Sequence, residues 1–287
     1  MGNRRTLQDL TIKDNFMFAA VMMDEENCRR LLELSLCIPI GSVEVSHEKS
    51  LVYHPEYKGV RLDVYAKDGK NTHYNVEMQV AQKPGLKRRS RYYHSQIDMD
   101  LLVRGTDYEL LPDTYVIFLC DFDPFEEGRY RYSFEERCQE SPLLYLEDGR
   151  HTVFLSTKGT NGEDEPEALV KFLKFVGAGL EKSADDFEDD YIERLQMSIR
   201  RIKADREMGE RFMTFEELLK DERAEGKAEG RAEGKAEAVL ELLRFLGPVP
   251  DNLKQRISQE TDLQVLCEYL VKAARAKSME QFIEAIS

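Results

Sequence analysis

The chain is predicted to be an α/β protein in which a helix, three strands, a helix and a strand follow in that order, ahead of a helical C-terminal region. Three observations predict it: two segments that alternate apolar and polar residues around a turn (60–66 and 72–80), one uninterrupted apolar run (114–121), and the loss of strand patterning beyond Glu165. Alternation of period two marks a strand with two unlike faces, and a short continuous apolar run marks a strand buried on both.

Residues 13–37 carry Phe16, Phe18, Val21, Met22, Leu31, Leu32, Leu34 and Leu36 at helical spacing, as one helix or two, with Asp14 or Asn15 available as the N-cap. Residues 43–53 read as extended. Val60–Ala66 and Thr72–Val80 then form a β-hairpin across Lys67-Asp68-Gly69-Lys70-Asn71, whose residue types favour turns. Leu86–Arg104 is polar but compatible with a helix, and Thr114–Asp121 is the buried strand. Tyr130–Phe134 and His151–Ser156 flank an Asp148-Gly149 turn and are expected to extend the sheet as edge strands. Helices fill the remainder, broken at Gly247-Pro248-Val249-Pro250. The expected organisation is a first domain over 1–160, a helical extension over 161–222, a repeat helix or linker over 223–246 and a small helical segment over 247–287.

Within 223–237 the unit Ala-Glu-Gly-Lys/Arg recurs every four residues, which a helix of 3.6 residues per turn sorts into slowly drifting stripes of one residue type each. Like-charged glutamates at i,i+4 and glycines costing about 1 kcal/mol apiece weaken such a helix in isolation. Two readings stay open. Gly226, Gly230 and Gly234 could admit a close partner helix, making the C-terminal helices a homo-oligomer interface, or the segment is a solvated linker.

Composition narrows the function. A net charge of −14 argues against non-specific wrapping of nucleic acid, which relies on clustered cations. One local basic segment stands out: Lys83, Lys87, Arg88, Arg89 and Arg91, with no acid before Asp98. Five cysteines at wide spacing suggest neither disulfides nor zinc, and Cys28, Cys37 and Cys120 sit in apolar stretches where a free thiol is a small buried hydrophobe. No apolar run reaches the 18 residues of a membrane span, and no signal-length apolar stretch follows the N-terminus, so a soluble cytoplasmic protein with no membrane partner is expected. No Ser/His/Asp set, phosphate-binding loop or dinucleotide fingerprint stands out.

The hairpin holds the chemistry. Along the first strand Leu62, Val64 and Ala66 point one way and Arg61, Asp63 and Tyr65 the other. Along the second, His73, Asn75, Glu77 and Gln79 oppose Tyr74, Val76, Met78 and Val80. A register that buries both apolar sets brings Asp63 and Glu77 together on the polar face. Facing like charges are destabilising, and a hard divalent cation that takes one or two carboxylates relieves them. The basic segment beginning six residues after Glu77 would supply phosphate contacts beside that cation.

The strings Arg-Leu-Asp-Val-Tyr (61–65), Asn-Val-Glu-Met-Gln-Val (75–80), Arg-Ser-Arg-Tyr-Tyr (89–93) and Gly-Thr-Asp-Tyr-Glu-Leu-Leu-Pro (105–112) come in one order. With Lys-Asp-Asn-Phe-Met-Phe (13–18) and the Ala-Glu-Gly-Lys repeat, they resemble the Rpn-type recombination-promoting nucleases, PD-(D/E)XK nuclease family transposases, over roughly residues 7–240. The resemblance implies a restriction-endonuclease-like αβββαβ core with a mixed sheet. It implies a DNA endonuclease in which Asp63 and Glu77 bind Mg2+, or Mn2+, with the Met78 carbonyl as a third ligand. Gln79 stands where the wider superfamily has a catalytic lysine. A neutral amide can hold the attacking water without adding charge, and Lys83 or Lys87 could supply the charge. Lys83, Lys87, Arg88, Arg89, Arg91 and Tyr92 are candidates for DNA and phosphate contact, against the alternative of a basic solvated helix face with Tyr92 in the core. His94 is expected on the same helix. Asp14 either reaches the site or caps the first helix. A degenerate nuclease acting as a DNA-binding or interaction module is the competing function.

Overall fold

The computed structural model describes residues 5–47, 49–51 and 60–286, so the end of the extended reading at 52–53 lies outside the described residues. Two helices open the fold, α1 (Asn15–Met22) and α2 (Glu25–Leu36). They break at Asp24, whose side chain accepts from Asn27 N and caps α2. Strands β1 (Val43–His47), β2 (Ser50–Leu51), β3 (Val60–Arg61), β4 (Val64–Asp68) and β5 (His73–Gln79) follow, then helix α3 (Leu86–Leu101) and strands β6 (Thr114–Cys120), β7 (Arg131–Phe134) and β8 (Arg150–Ser156). The chain continues through α4 (Glu167–Gly177), α5 (Asp190–Ala204), α6 (Arg206–Arg244), α7 (Asp251–Ser258), α8 (Leu263–Arg275) and α9 (Met279–Ile286).

Six strands form a mixed sheet in the order β1-β4-β5-β6-β8-β7, and β2 with β3 makes a separate two-stranded ribbon. β4 and β5 are antiparallel, with Val64 opposite Val76 and Lys67 opposite His73. β5, β6 and β8 are parallel, which aligns Glu77 with Phe118 and Phe118 with Phe154. A sheet with parallel strands is covered on both faces. Here α3 lies over Tyr65, Val116, Phe118, Cys120 and Phe154 through Leu86, Tyr93 and Ile97. Val64, Ala66, Val76, Ile117 and Leu119, all buried, take the opposite face, and α2 packs on β1 and β8. α5 is tied to α2 by Tyr191 Oη donating to the Asn27 carbonyl (2.6 Å) and Arg194 Nε to Asn27 Oδ1 (2.8 Å).

Three expectations change. The strand expected over 60–66 is interrupted: β3 ends at Arg61 and β4 begins at Val64, so alternation fails across Leu62–Asp63. Leu62 therefore joins Tyr65 in the cluster beneath α3 instead of facing the other way with Val64 and Ala66. β8 is an interior strand between β6 and β7, with β7 alone at that edge, because β8 runs parallel to β6 and only an antiparallel partner was left to add. Cys28 and Cys120 are buried as expected but Cys37 is exposed, since it terminates α2 in the left-handed conformation (φ 56°).

The chain divides into two compact units, 1–212 and 213–287. The second has its own core, in which Val239, Leu243, Ile257, Leu266 and Phe282 are fully buried. Residues 223–237 belong to α6 and are helical throughout. No helix among the described residues is long and apolar enough to cross a membrane.

His94 fastens α3 to the sheet: its Nδ1 meets Thr114 Oγ1 and its Nε2 meets Thr152 Oγ1, each at 3.0 Å. Burial, reinforced by the charges of Arg150 and His151, pushes this imidazole down from 6.5 to about 3. Its folded value lies below its unfolded one, so the unfolded chain binds a proton that the folded chain refuses throughout that window. Acid therefore destabilises the fold below pH 6.5 by up to about 1.4 kcal/mol per pH unit from this group. In urea unfolding of His94→Gln, the loss of stability between pH 6.5 and pH 5 should be shallower than in the parent. An unchanged slope would show that His94 is not the proton acceptor.

Candidate active site

The interruption between β3 and β4 shapes the site. Ladder pairing of β4 with β5 ends at Val64 opposite Val76, so beyond it β5 has no ladder partner on that side among the described residues. Asp63 takes the vacated position: its Oδ2 accepts from Met78 N (3.1 Å), and its own N–H donates to Glu77 Oε1 (3.2 Å). In an extended strand the N–H and C=O of one residue point to the same edge, so the Met78 carbonyl also faces the Asp63 side. Gln79, half-buried at the end of β5, turns its carbonyl the other way and accepts from Asp121 N (2.9 Å).

The polar face of the hairpin is not wet. Asn75 is fully buried and Glu77 is 3% exposed, both beneath α3. Burial, followed by the negative charge of Asp63, pushes the Glu77 carboxyl from 4.5 up to about 8, against the pull of the Asp63 N–H and the Arg89 guanidinium. Tyr93 Oη donates to Glu77 Oε2 over a long 3.4 Å. Arg89 turns inward, its guanidinium carbon 5.5 Å from the Tyr93 ring centre and 5.4 Å from that of Phe118. Its Nε and Nη2 are buried with no hydrogen-bond partner among the described residues, while the buried Asn75 amide is near enough to Glu77 to favour its charged form. Buried polar groups are nearly always satisfied, so orphans clustered round two carboxylates mark a place arranged for something else to bind.

The structure thus brings Asp63, Glu77 and the Met78 backbone together, with Arg89 beside them. Lys83, Lys87 and Arg88 lie apart, lining a cavity of about 830 Å³ that the carboxylates do not line. Arg91 lines a different cavity of about 240 Å³, with Ser90 and His94. Tyr92 is half-buried against the core under α3. Asp14 occupies the N-cap position of α1 without making a capping bond there. Its carboxylate turns back to Thr11 N (2.6 Å) and pairs with Arg5, so it neither caps the helix nor meets the pair.

Sequence reasoning missed Tyr93, Asn75 and Phe118 as neighbours of Glu77. Asn75 shares a face with Glu77 by alternation, but only α3 lying over that face makes its amide a buried group. Among the described residues no three His, Cys, Asp or Glu side chains converge as a metal cluster. Two carboxylates and a strand carbonyl are nonetheless a hard-oxygen donor set of the kind Mg2+ accepts when waters and phosphate complete its shell. The forced burial of Glu77 beside Asp63 is what such a cation would relieve, so the residues fit.

The pair should cost the metal-free protein stability. A carboxyl whose folded value is raised from 4.5 to about 8 supports the fold below pH 4.5 and loses that support as pH rises through 8. In chelator, Glu77→Gln should therefore be more stable than the parent by over about 1 kcal/mol at pH 8 and close to equal at pH 4.5. A variant less stable than its parent at pH 8 would contradict the assigned strain.

The sequence model of the PD-(D/E)XK nuclease family transposases matches residues 15–228. No curated protein and no solved structure matches the chain. The matched stretch holds α1 and α2, the whole mixed sheet and the helix over it, and takes in the acidic pair; on this match the chain belongs to the PD-(D/E)XK nuclease family transposases.

Proposed function

We propose that this chain is a Mg2+-dependent endodeoxyribonuclease that hydrolyses phosphodiester bonds in the setting of recombination, transposition or genome defence. The observation that carries the reading is the part-buried contact of Asp63 with Glu77 and the Met78 backbone. Asp63, Glu77 and the Met78 carbonyl would hold the metal, with Mn2+ as a substitute. An ion held by these residues would supply a coordinated water of lowered pKa and positive charge against the scissile phosphate. Gln79, two residues along the strand from Glu77, presents an amide on the same face that can orient a water by accepting one hydrogen bond and donating another. Arg89 holds positive charge against Glu77 from the helix side, where a lysine in the place of Gln79 would have supplied it from the strand. Lys83, Lys87 and Arg88 offer exposed cations to the DNA backbone, and Tyr92 with Arg91 stands behind them on α3.

Incubation of the full chain with supercoiled plasmid in Mg2+ should yield nicked or linear products, and Asp63→Ala should reduce the rate at least about 100-fold. Cleavage that survives Asp63→Ala would remove the pair from the chemistry. A folded protein that neither cuts nor shows a higher melting temperature in Mg2+ or Mn2+ would instead be the degenerate binding module, because a ligand of the folded state raises its stability.

We further propose that the chain self-associates through the repeat segment of α6. A Cβ added at Gly226, Gly230 or Gly234 meets nothing within 4 Å, so this face of the second unit is open. Exposed Lys227 and Arg231 alternate with exposed Glu229 and Glu233 along the helix, a pattern that pairs oppositely with a second copy laid antiparallel. Replacing all three glycines by alanine should stabilise the helix by about 1 kcal/mol per site. The same change should shift sedimentation towards the monomer. Assembly that persists unchanged would exclude the glycine face as the interface.

A further inference from the structure

The cavity lined by Lys83, Lys87 and Arg88 lies apart from the acidic pair and has features that pair does not explain. Its walls are the segment between β5 and α3 (82–85), the first residues of α3, and the loop that leaves β6 (122–126). It therefore sits past the carboxyl ends of two adjacent parallel strands, where open α/β sheets bind ligands. Glu77 is two residues before the end of β5. The volume, about 830 Å³, is in the range of small-molecule sites.

Two properties define its chemistry. In a chain of net charge −14, this wall carries three cations against one acid, Glu126. The head of α3 adds to them: Gly85 (φ 84°) at the N-cap has no side chain to cap the helix, which leaves the positive end of a 16-residue helix to whatever anion occupies the cavity. The other property is aromatic. Phe122 and Phe125 line the same space, and Lys87 Nζ lies 4.3 Å from the Phe125 ring centre. Tyr132 (4.7 Å), Phe134 (5.0 Å) and the edge-on Phe154 (5.1 Å) hold that ring from elsewhere. Asp123 fixes the loop by accepting from Phe125 N (3.1 Å), Gly128 N (2.7 Å) and Tyr132 Oη (2.7 Å). The ring is thus held in place by its neighbours, and in the cavity the end of a flexible lysine lies over it.

Cations that track phosphates beside a ring face open to stacking are the two components of single-strand recognition. In a duplex the bases stack on each other and cannot reach a recessed ring, so only an unpaired base can use Phe125. We propose that this cavity binds an unpaired nucleotide of single-stranded DNA flanking the position of cleavage. Its base stacks on Phe125 in place of the Lys87 ammonium, which moves to a phosphate with Lys83 and Arg88. DNA as the polymer rests on the nuclease reading above; the stacked base and the phosphate contacts rest on the cavity itself. The substrate class follows: junctions, overhangs or opened duplex rather than fully paired DNA.

The test uses the full chain in chelator, so that binding is read without cleavage. Fluorescence anisotropy compares a labelled single strand of about ten nucleotides with a blunt duplex of that length, and a 2-aminopurine within the single strand reports stacking. The single strand should bind more tightly than the duplex and its 2-aminopurine emission should fall on binding. Phe125→Leu, which keeps apolar volume against Tyr132 and Phe154, should weaken single-strand binding about tenfold and leave the duplex unchanged, while Phe125→Tyr retains it. Equal loss on both ligands, or no loss, overturns the proposal. Should Phe125→Leu fail to fold, the wild-type emission decides alone, and unchanged emission in the bound complex overturns it. A free mononucleotide that binds as tightly as the strand also overturns it, in favour of a nucleotide pocket. Absence of plasmid cleavage with the emission change intact would count against the nuclease reading and leave this one standing.

Discussion

The contact between the Asp63 carboxylate and the Met78 N–H is the constraint from which the rest of the first unit follows. At that point β4 has left the ladder, and β5 continues along a stretch with no ladder partner on one edge among the described residues. A side chain fills the gap, so the edge of the strand is closed by a charged group and not by a peptide. The same bend sends Leu62 under α3 with Tyr65, which helps seat the helix over Glu77. Once α3 is seated, Glu77 is removed from water, and its charge needs the help of the Asp63 N–H, Arg89 and Asn75 or of a bound cation. Local backbone geometry, packing of the helix and electrostatics of the site are one arrangement.

The extent to which this was legible in the sequence depended on range. β5 and β6 were readable because alternation and a continuous apolar run are properties of the strand itself. The neighbourhood of Asp63 and Glu77 was readable because a register that buries Val64 with Val76 also aligns their polar neighbours. The break at Leu62–Asp63 was not, because 60–66 alternates perfectly in composition and nothing local says that pairing stops at Val64. Burial of the polar face was hidden for a related reason: α3 is polar in sequence, yet Tyr93, Ile97 and His94 lie buried along its inner face. Arg89 read as one of a run of exposed cations, and only the three-dimensional position of Phe118 and Tyr93 distinguishes it from Arg88.

The second unit follows a different rule. Its core is made late in α6 and in the three helices after it, while a Cβ added at Gly226, Gly230 or Gly234 would meet nothing within 4 Å. Helical propensity alone would not hold such a segment, since each glycine and each pair of like charges four apart works against it. Continuity with packed helix on the C-terminal side, where Ala232, Ala236 and Val239 are buried, is what orders it.

The acidic pair has a consequence for how this chain drifts under mutation. A fold that carries a strained carboxyl gains stability when that carboxyl is lost, as active sites commonly trade stability for chemistry. Replacement of Glu77 by a neutral side chain of the same shape is therefore a drift that the stability of the metal-free fold favours. The joint presence of Asp63, Glu77 and an inward Arg89 in one part-buried cluster is thus an arrangement that stability alone would not favour in the metal-free chain.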